Sequence, residues 1–293
     1  MSQQGGGVDR RDTGRATNDK TAGSGRRKVS GFFFRRSHDT ISVVGPDARK
    51  FLHSQLANDV ESLKAGESRY SLLLEPTGKV TGLVRVFCAG DDEFVCDCES
   101  GCGQVVASRL ARFKIRVKCE ISGSARDYFA ARGLSAEKYA ELLKLEQAIA
   151  AWREKDFAVD LVADQNTANL LTKHGLQQGG FADFERARIL AIWPQFGADM
   201  NEQSVPSETG LTDVAVSFSK GCYPGQELVE RMDSRGAVAP RSLRLVRNDS
   251  GARVGDAVII DTQDAGIYTS VCQEFALALI KRSADARSIE IGS

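Results

Sequence analysis

One thiol stands where chemistry could use it. In Lys220-Gly221-Cys222-Tyr223-Pro224-Gly225-Gln226-Glu227 a cysteine sits on a turn with two glycines, preceded by a cation and followed by a carboxylate. Pro224 suits the start of a helix, and Leu228, Val229 and Met232 give that helix one apolar face. Cys222 is therefore predicted just before a helix N-terminus. Backbone N–H groups there favour a thiolate and attract anions, and Lys220 adds to both effects. A plainer need is met by the same residues: a tight turn around a buried cysteine, since free cysteine is among the most buried residue types. Gln226 and Glu227 are open in the same way. They orient the turn toward a ligand, or they cap the helix and complement its dipole.

Other reactive groups are more scattered. Asn58 and Asp59 end a predicted helix and read first as a turn. His53, on that helix, reads as a surface or cap residue, and the three histidines lie far from one another and from Cys222 in sequence, which neither supports nor excludes a Cys–His dyad. Cys96, Cys98 and Cys102 form C-x-C-x3-C. Residues two apart share a face of a strand, where small buried side chains are ordinary, and Cys102 falls at the start of the next helix. No fourth ligand lies near in sequence, and zinc sites commonly use C-x2-C, so no metal is expected.

The elements that must hold these groups can be read from periodicity. A strand at 40–45 leads through Pro46-Asp47 into a helix with Phe51, Leu52 and Leu56 on one face. Segments 69–75, 80–88 and 93–98, separated by Pro76-Thr77-Gly78 and Gly90-Asp91-Asp92, read as antiparallel strands. A helix is predicted at about 100–113 and a strand over Ile115–Cys119. Ser135 to Trp152 reads as one long helix, and Phe181 to Ile192 as another that Pro194 ends. After Pro240, short apolar runs at 242–247, 257–260, 267–272 and 275–280 suggest a small barrel or sandwich.

Composition narrows the class. The chain has 293 residues, 42% of them hydrophobic, and equal numbers of basic and acidic side chains, 39 each. Seven of the basic groups and three of the acidic ones fall in the first 30 residues, so the body is mildly acidic and no direct nucleic-acid surface is expected. Residues 1–30 are rich in Gly, Ser, Thr, Arg and Asp, and read as a disordered tail. A transit peptide is the alternative, against which Asp9, Asp12 and Asp19 count. Seven cysteines with no secretory leader imply reduced thiols in a cytoplasmic setting, and no apolar run reaches the roughly 18 residues of a membrane span.

The octapeptide resembles the K-G-C-[FYI]-x-G-Q-E signature of YgfZ-type folate-binding proteins, relatives of the glycine-cleavage T-protein (aminomethyltransferase). Flanking segments agree: Gly45-Pro46-Asp47-Ala48 with Phe51-Leu52 and Asn58-Asp59; Tyr70 to Leu74 with Gly78-Lys79-Val80; Phe196 to Met200; Pro206 to Leu211; and Ala276 to Arg282. The resemblance covers roughly residues 37 to 283. It implies an α+β fold of interlocked N-terminal domains, here 31–238, and a C-terminal β-barrel, 239–293, around a central hole where tetrahydrofolate or a derivative binds. It further implies a role in assembly or repair of iron–sulfur clusters in client enzymes, including tRNA-modifying radical enzymes, with Cys222 as the functional thiol. Lys220, Gly221, Tyr223, Gly225, Gln226, Glu227, Asn58 and Asp59 would then face the folate cavity. Two departures leave enzymatic activity open. Where the T-protein has a catalytic carboxylate this chain has Gly82 and Leu83, and where it has a pteridine-binding Glu this chain has Leu190. A folate-dependent one-carbon transferase and a folate-free adaptor are the alternatives.

Overall fold

The computed structural model describes residues 31–234 and 239–285; the tail reading for residues 1–30 lies outside them. A long strand, β1 (Phe32–Val44), leads into α1 (Ala48–Gln55), and the antiparallel run β2 (Ser68–Leu74), β3 (Val80–Cys88) and β4 (Glu93–Glu99) follows. Next come α2 (Gly103–Phe113), β5 (Glu120–Arg132), α3 (Ala136–Leu142), β6 (Ala148–Ala151), a 3-10 turn at Glu154–Asp156 and β7 (Ala158–Val162). The chain continues through α4 (Thr167–Lys173), β8 (Gln177–Gln178), α5 (Phe181–Leu190), α6 (Thr212–Ala215) and α7 (Gln226–Ser234). It ends in β9 (Arg241–Arg247), β10 (Ala257–Ile260), β11 (Gln263–Cys272), β12 (Phe275–Lys281) and α8 (Arg282–Asp285).

β1 is the spine. β5 pairs antiparallel with its whole length, β4 with its second half, and β8 runs parallel to Phe32–Phe33 where β4 does not reach. The resulting eight-stranded sheet has the order β2-β3-β4-β1-β5-β7-β6, with β8 beside β1. Seven of the nine β3 residues are buried, because both faces of that strand are covered. One face packs Val84, Val86, Phe94 and Cys96 against Leu52 of α1 and Val106 and Leu110 of α2. The other packs Leu72, Leu74 and Val80 against Trp152, Phe184, Trp193, Tyr223 and Val229. The second sheet is antiparallel in the order β10-β11-β12-β9. This is the mixed α+β class expected, with the C-terminal strands forming a sheet of their own.

Two elements differ from expectation. The helix read over 135–152 stops at Leu142, and Ile149 lies in β6. Its helical spacing is coincidental: Ala148–Ala151 pairs with β7, and sheet hydrogen bonds outweigh local propensity. Ile115–Cys119 is not a strand. Arg116 takes a left-handed φ of 58° and Ile115 is exposed, so the segment is a loop into β5.

Under the sheet lies a buried ionic lattice. Arg85 of β3 donates to Asp97 of β4 and Asp160 of β7, each at 2.8 Å, and Arg132 of β5 reaches the other Asp160 oxygen at 2.8 Å. Four strands are thereby pinned in register through charge-assisted bonds.

Candidate functional site

α7 begins at Gln226, so Cys222 lies four residues upstream of it rather than at its N-terminus, with Tyr223-Pro224-Gly225 between. The side chain of Gln226 accepts the Tyr223 N–H at 3.3 Å, and Glu227 pairs with Arg231 one turn along. In this structure both residues therefore serve the helix. Gly225 has φ 85°, and a Cβ there would meet the Glu75 carbonyl at 2.7 Å, so glycine is required by the close approach to the β2–β3 turn. Gly221 has open space around it. Tyr223 is buried, its hydroxyl without a hydrogen-bond partner among the described residues and pushed up to about 12 by desolvation.

Of the seven cysteines, all among the described residues, Cys222 alone is exposed. Burial pushes the thiol of Cys96 up to about 12 and that of Cys98 further still. Both sit in the core beneath α1 and α2, and Cys102, half-buried, precedes α2. Among the described residues no group of three or more His, Cys, Asp or Glu could hold a metal ion.

Lys220 bends back onto α1. Its Nζ donates to the carbonyls of His53 and Leu56, the latter at 2.7 Å, satisfying acceptors that the helix end leaves open. Its ammonium also lies 4.9 Å from the Tyr223 ring centre. Desolvation lowers its pKa to about 8, against the attraction of Asp59, Cys222 and Glu61. His53 is depressed by burial and by Lys220, so histidine, lysine and thiol form one electrostatic neighbourhood that sequence distance concealed.

Asn58 and Asp59 are committed to the framework. The Asn58 amide donates to the carbonyls of Tyr70 and Val214 at 2.9 and 2.8 Å, and its oxygen accepts the Asp59 N–H. Asp59 accepts the N–H groups of Glu61 and Ser62; burial would raise its carboxyl, but the bonds from Ser62 with the charges of Arg69 and His53 outweigh it and lower its pKa. Asn58 thus fastens α6 to β2, and Asp59 closes the turn after α1.

Concave surface lies elsewhere on the same layer. An open cleft of about 800 Å³ is lined by Phe32, Trp152, Asp156, Ala187 and Leu190, among others. A narrower pocket of about 30 Å³ shares Trp152 and adds Tyr70, Leu83, Glu99, Arg36 and Trp193. Leu83 and Leu190, the two apolar departures noted in the sequence, each face one of these spaces. Tyr70 meets Trp193 edge-on at 4.7 Å, and its hydroxyl accepts the Trp152 N–H at 3.3 Å. Glu99 stands 3.7 Å from Arg36, and desolvation raises its carboxyl despite that charge. Sequence reading missed these residues because they come from distant segments. One signal was available: both tryptophans of the chain lie here.

Residues 26–148 match the family profile described as the GCVT N-terminal domain. A protein of Haemophilus influenzae described as uncharacterized is 28% identical over 215 residues, 71% of each chain. The tRNA-modifying protein YgfZ of Escherichia coli is 27% identical over 237 residues, 74% of this chain and 71% of that one. Its namesake in Vibrio atlanticus is 25% identical over 72% of this chain and 67% of that one. Among solved structures, the glycine cleavage system aminomethyltransferase T of Bartonella henselae superimposes with a TM-score of 0.71 over 86% of this chain and 79% of that one, at 18% identity. That last likeness is one of fold. In sequence the chain is similar to YgfZ-type proteins, its residues 26–148 match the GCVT N-terminal domain, and its fold is that of a glycine-cleavage T-protein.

Proposed function

We propose that the protein binds tetrahydrofolate or a derivative and supports assembly or repair of iron–sulfur clusters in client enzymes, tRNA-modifying enzymes among them, with Cys222 as the functional thiol. The observation that carries this reading is the exposure of Cys222 on its signature loop while the other six thiols are buried or half-buried. A thiol able to meet a client must be reachable, and this one is held beside a lysine whose own proton is loosened.

The cleft suits a folate in size and lining. Its volume of about 800 Å³ lies within the roughly 300–1,000 Å³ typical of small-molecule sites, and it combines an apolar floor with carboxylates at its edge. Tetrahydrofolate, when bound, carries one-carbon groups. This chain would hold it with Phe32, Trp152 and the polar groups of the cleft, and present Cys222 on a loop whose far end is clamped at Gly225. A cytoplasmic setting with iron–sulfur clients as partners and no membrane completes the proposal; among the described residues no helix is long and apolar enough to cross a bilayer.

Calorimetric titration with tetrahydrofolate and 5-formyltetrahydrofolate, run on wild type and Cys222→Ala under reducing conditions, tests the cavity. Activity of iron–sulfur enzymes in cells carrying the same variant tests the thiol. Binding by both proteins with loss of client activity in the variant is expected. A folded Cys222→Ala that sustains full client activity removes the thiol from the function, and absence of binding by either protein favours the folate-free adaptor.

A second reading, a one-carbon transferase acting on an amine, is favoured by one observation. Gly82 and Leu83 carry no carboxylate, yet Glu99 brings one, raised by desolvation, into the pocket that Leu83 lines. Turnover of methylenetetrahydrofolate with a small amine, lost in Glu99→Gln, is the result that would establish it.

A further inference from the structure

We propose that Asp156 is the specificity-determining residue of the open cleft, accepting paired hydrogen bonds from a flat heterocycle whose edge carries adjacent N–H donors, of the 2-aminopyrimidinone class. The inference rests on the folate reading, since the pterin of a folate carries such an edge.

The lining of the cleft leaves few groups free to read a ligand. Leu190, Ala187, Ala191, Phe32 and Trp152 are apolar or nearly so. Arg186 is held by Glu274 at 3.2 Å and lies over the Phe275 ring. Asp183 spends one oxygen on the Gly180 N–H that opens α5, and it is solvent-exposed. Asp156 is half-buried; its Oδ2 accepts the Arg153 N–H at 3.1 Å, and its Oδ1 accepts no hydrogen bond among the described residues. Burial raises its carboxyl although Arg153, Lys155 and Arg132 all pull the other way, which marks a carboxylate short of partners.

The segment carrying Asp156 is held in an expensive shape. Trp152 and Phe157, on either side of the 3-10 turn, have φ of 59° and 45°, and Ile192, just past the end of α5, has φ 50°. Non-glycine residues take this region only where surrounding structure imposes it. Arg153 imposes it here. Its guanidinium donates to the Ala191 carbonyl at 3.2 Å, to Asp213 at 3.3 Å and to the Gly210 carbonyl, stapling the turn to the end of α5 beside Leu190. The staple fixes Asp156 in a lining that is otherwise largely apolar, so a ring lying there presents its edge to the one half-buried carboxylate of the cleft, Asp183 being exposed to water. A carboxylate accepts two parallel N–H bonds and repels an oxygen in the same place.

The test compares binding of tetrahydrofolate, pterin and lumazine, the last two differing by an amino group against an oxygen at one ring position, to wild type and Asp156→Asn. Asparagine keeps an acceptor for the Arg153 N–H but offers a single acceptor oxygen. Wild type is expected to prefer pterin over lumazine by roughly tenfold or more, and Asp156→Asn to lose both that preference and roughly tenfold in tetrahydrofolate affinity. Leu190→Glu in the Asp156→Asn background is expected to restore part of the preference. Tetrahydrofolate binding left unchanged in Asp156→Asn, with the preference intact, overturns this inference and leaves the folate reading standing. No binding of tetrahydrofolate or pterin by wild type overturns both. Should Asp156→Asn fail to fold, equal affinity of wild type for pterin and lumazine still overturns the inference.

Discussion

Gly225 and Gly78 meet backbone to backbone. A Cβ on Gly225 would stand 2.9 Å from the Gly78 Cα, and one on Gly78 would stand 2.6 Å from the Leu228 side chain. Both glycines are in the left-handed region, at φ 85° and 82°. The thiol loop is therefore docked on the β2–β3 turn through contacts that any side chain would push apart. Its downstream end is clamped while Gly221, before the thiol, has room around it.

That asymmetry predicts unequal effects of the same substitution. Gly225→Ala should cost at least about 1–2 kcal/mol from the backbone conformation alone, with overpacking added. Gly221→Ala should fall within about 0.5 kcal/mol of wild type. Urea unfolding of the two variants compares them, and equal losses would mean that the clamp is absent.

The lattice beneath the sheet makes a second prediction. Burial by itself would raise the carboxyls of Asp97 and Asp160, but Arg85 for the first, and Arg132 with Arg85 for the second, more than reverse it and hold both low. Arg85→Met leaves those carboxylates short of compensation and should cost about 3–5 kcal/mol at neutral pH. The sign with pH follows from linkage. A carboxyl depressed in the folded state contributes stability above its unfolded pKa of 3.8, and that contribution is lost as pH falls through the folded value. The gap between wild type and Arg85→Met should therefore narrow as the medium is acidified below about pH 4. A gap constant with pH, in urea unfolding across that range, would show that the two aspartates do not depend on Arg85.

How far this site could be read from the sequence depended on how local each residue's role is. Val80–Cys88 and Glu93–Glu99 announce themselves as strands because their apolar residues and turn signals are contiguous. Ile149 and Trp152 fell at helical spacing behind a real N-cap at Ser135, and only pairing with β7 shows them to belong to a strand and a strained turn. The signature loop was legible as a motif, but not the contact of Lys220 with α1, which joins residues 164 apart. Arg85, Glu99 and Asp156 carried no motif at all. Their significance comes from burial and from which charges meet them, quantities that exist only once the chain is folded.

Cys222 should be the first thiol modified in the native protein. It alone is exposed, and a buried thiol reacts only through opening of the structure. Brief treatment with iodoacetamide followed by peptide mapping should label Cys222 well ahead of Cys88, Cys96, Cys98 and Cys119. Comparable labelling of Cys96 would mean that the core beneath α1 and α2 opens as readily as the loop.

Lys220 sets a pH dependence of the same sense as the aspartates, but in an alkaline window. Its folded-state pKa is lowered from 10.5 to about 8, chiefly by desolvation. Between those values the unfolded chain binds a proton that the folded chain has released, so stability rises with pH across the window. Lys220→Met removes the titration together with the bonds to His53 and Leu56. The stability of wild type relative to Lys220→Met should therefore grow from about pH 8 toward 10.5, since the neutral amine still donates to both carbonyls without the cost of a half-buried charge. Below pH 8 the gap should be flat. A gap that shrinks with rising pH would mean that Lys220 is held as a cation by its neighbours, and would turn the loop's electrostatics back toward a permanent positive charge beside Cys222.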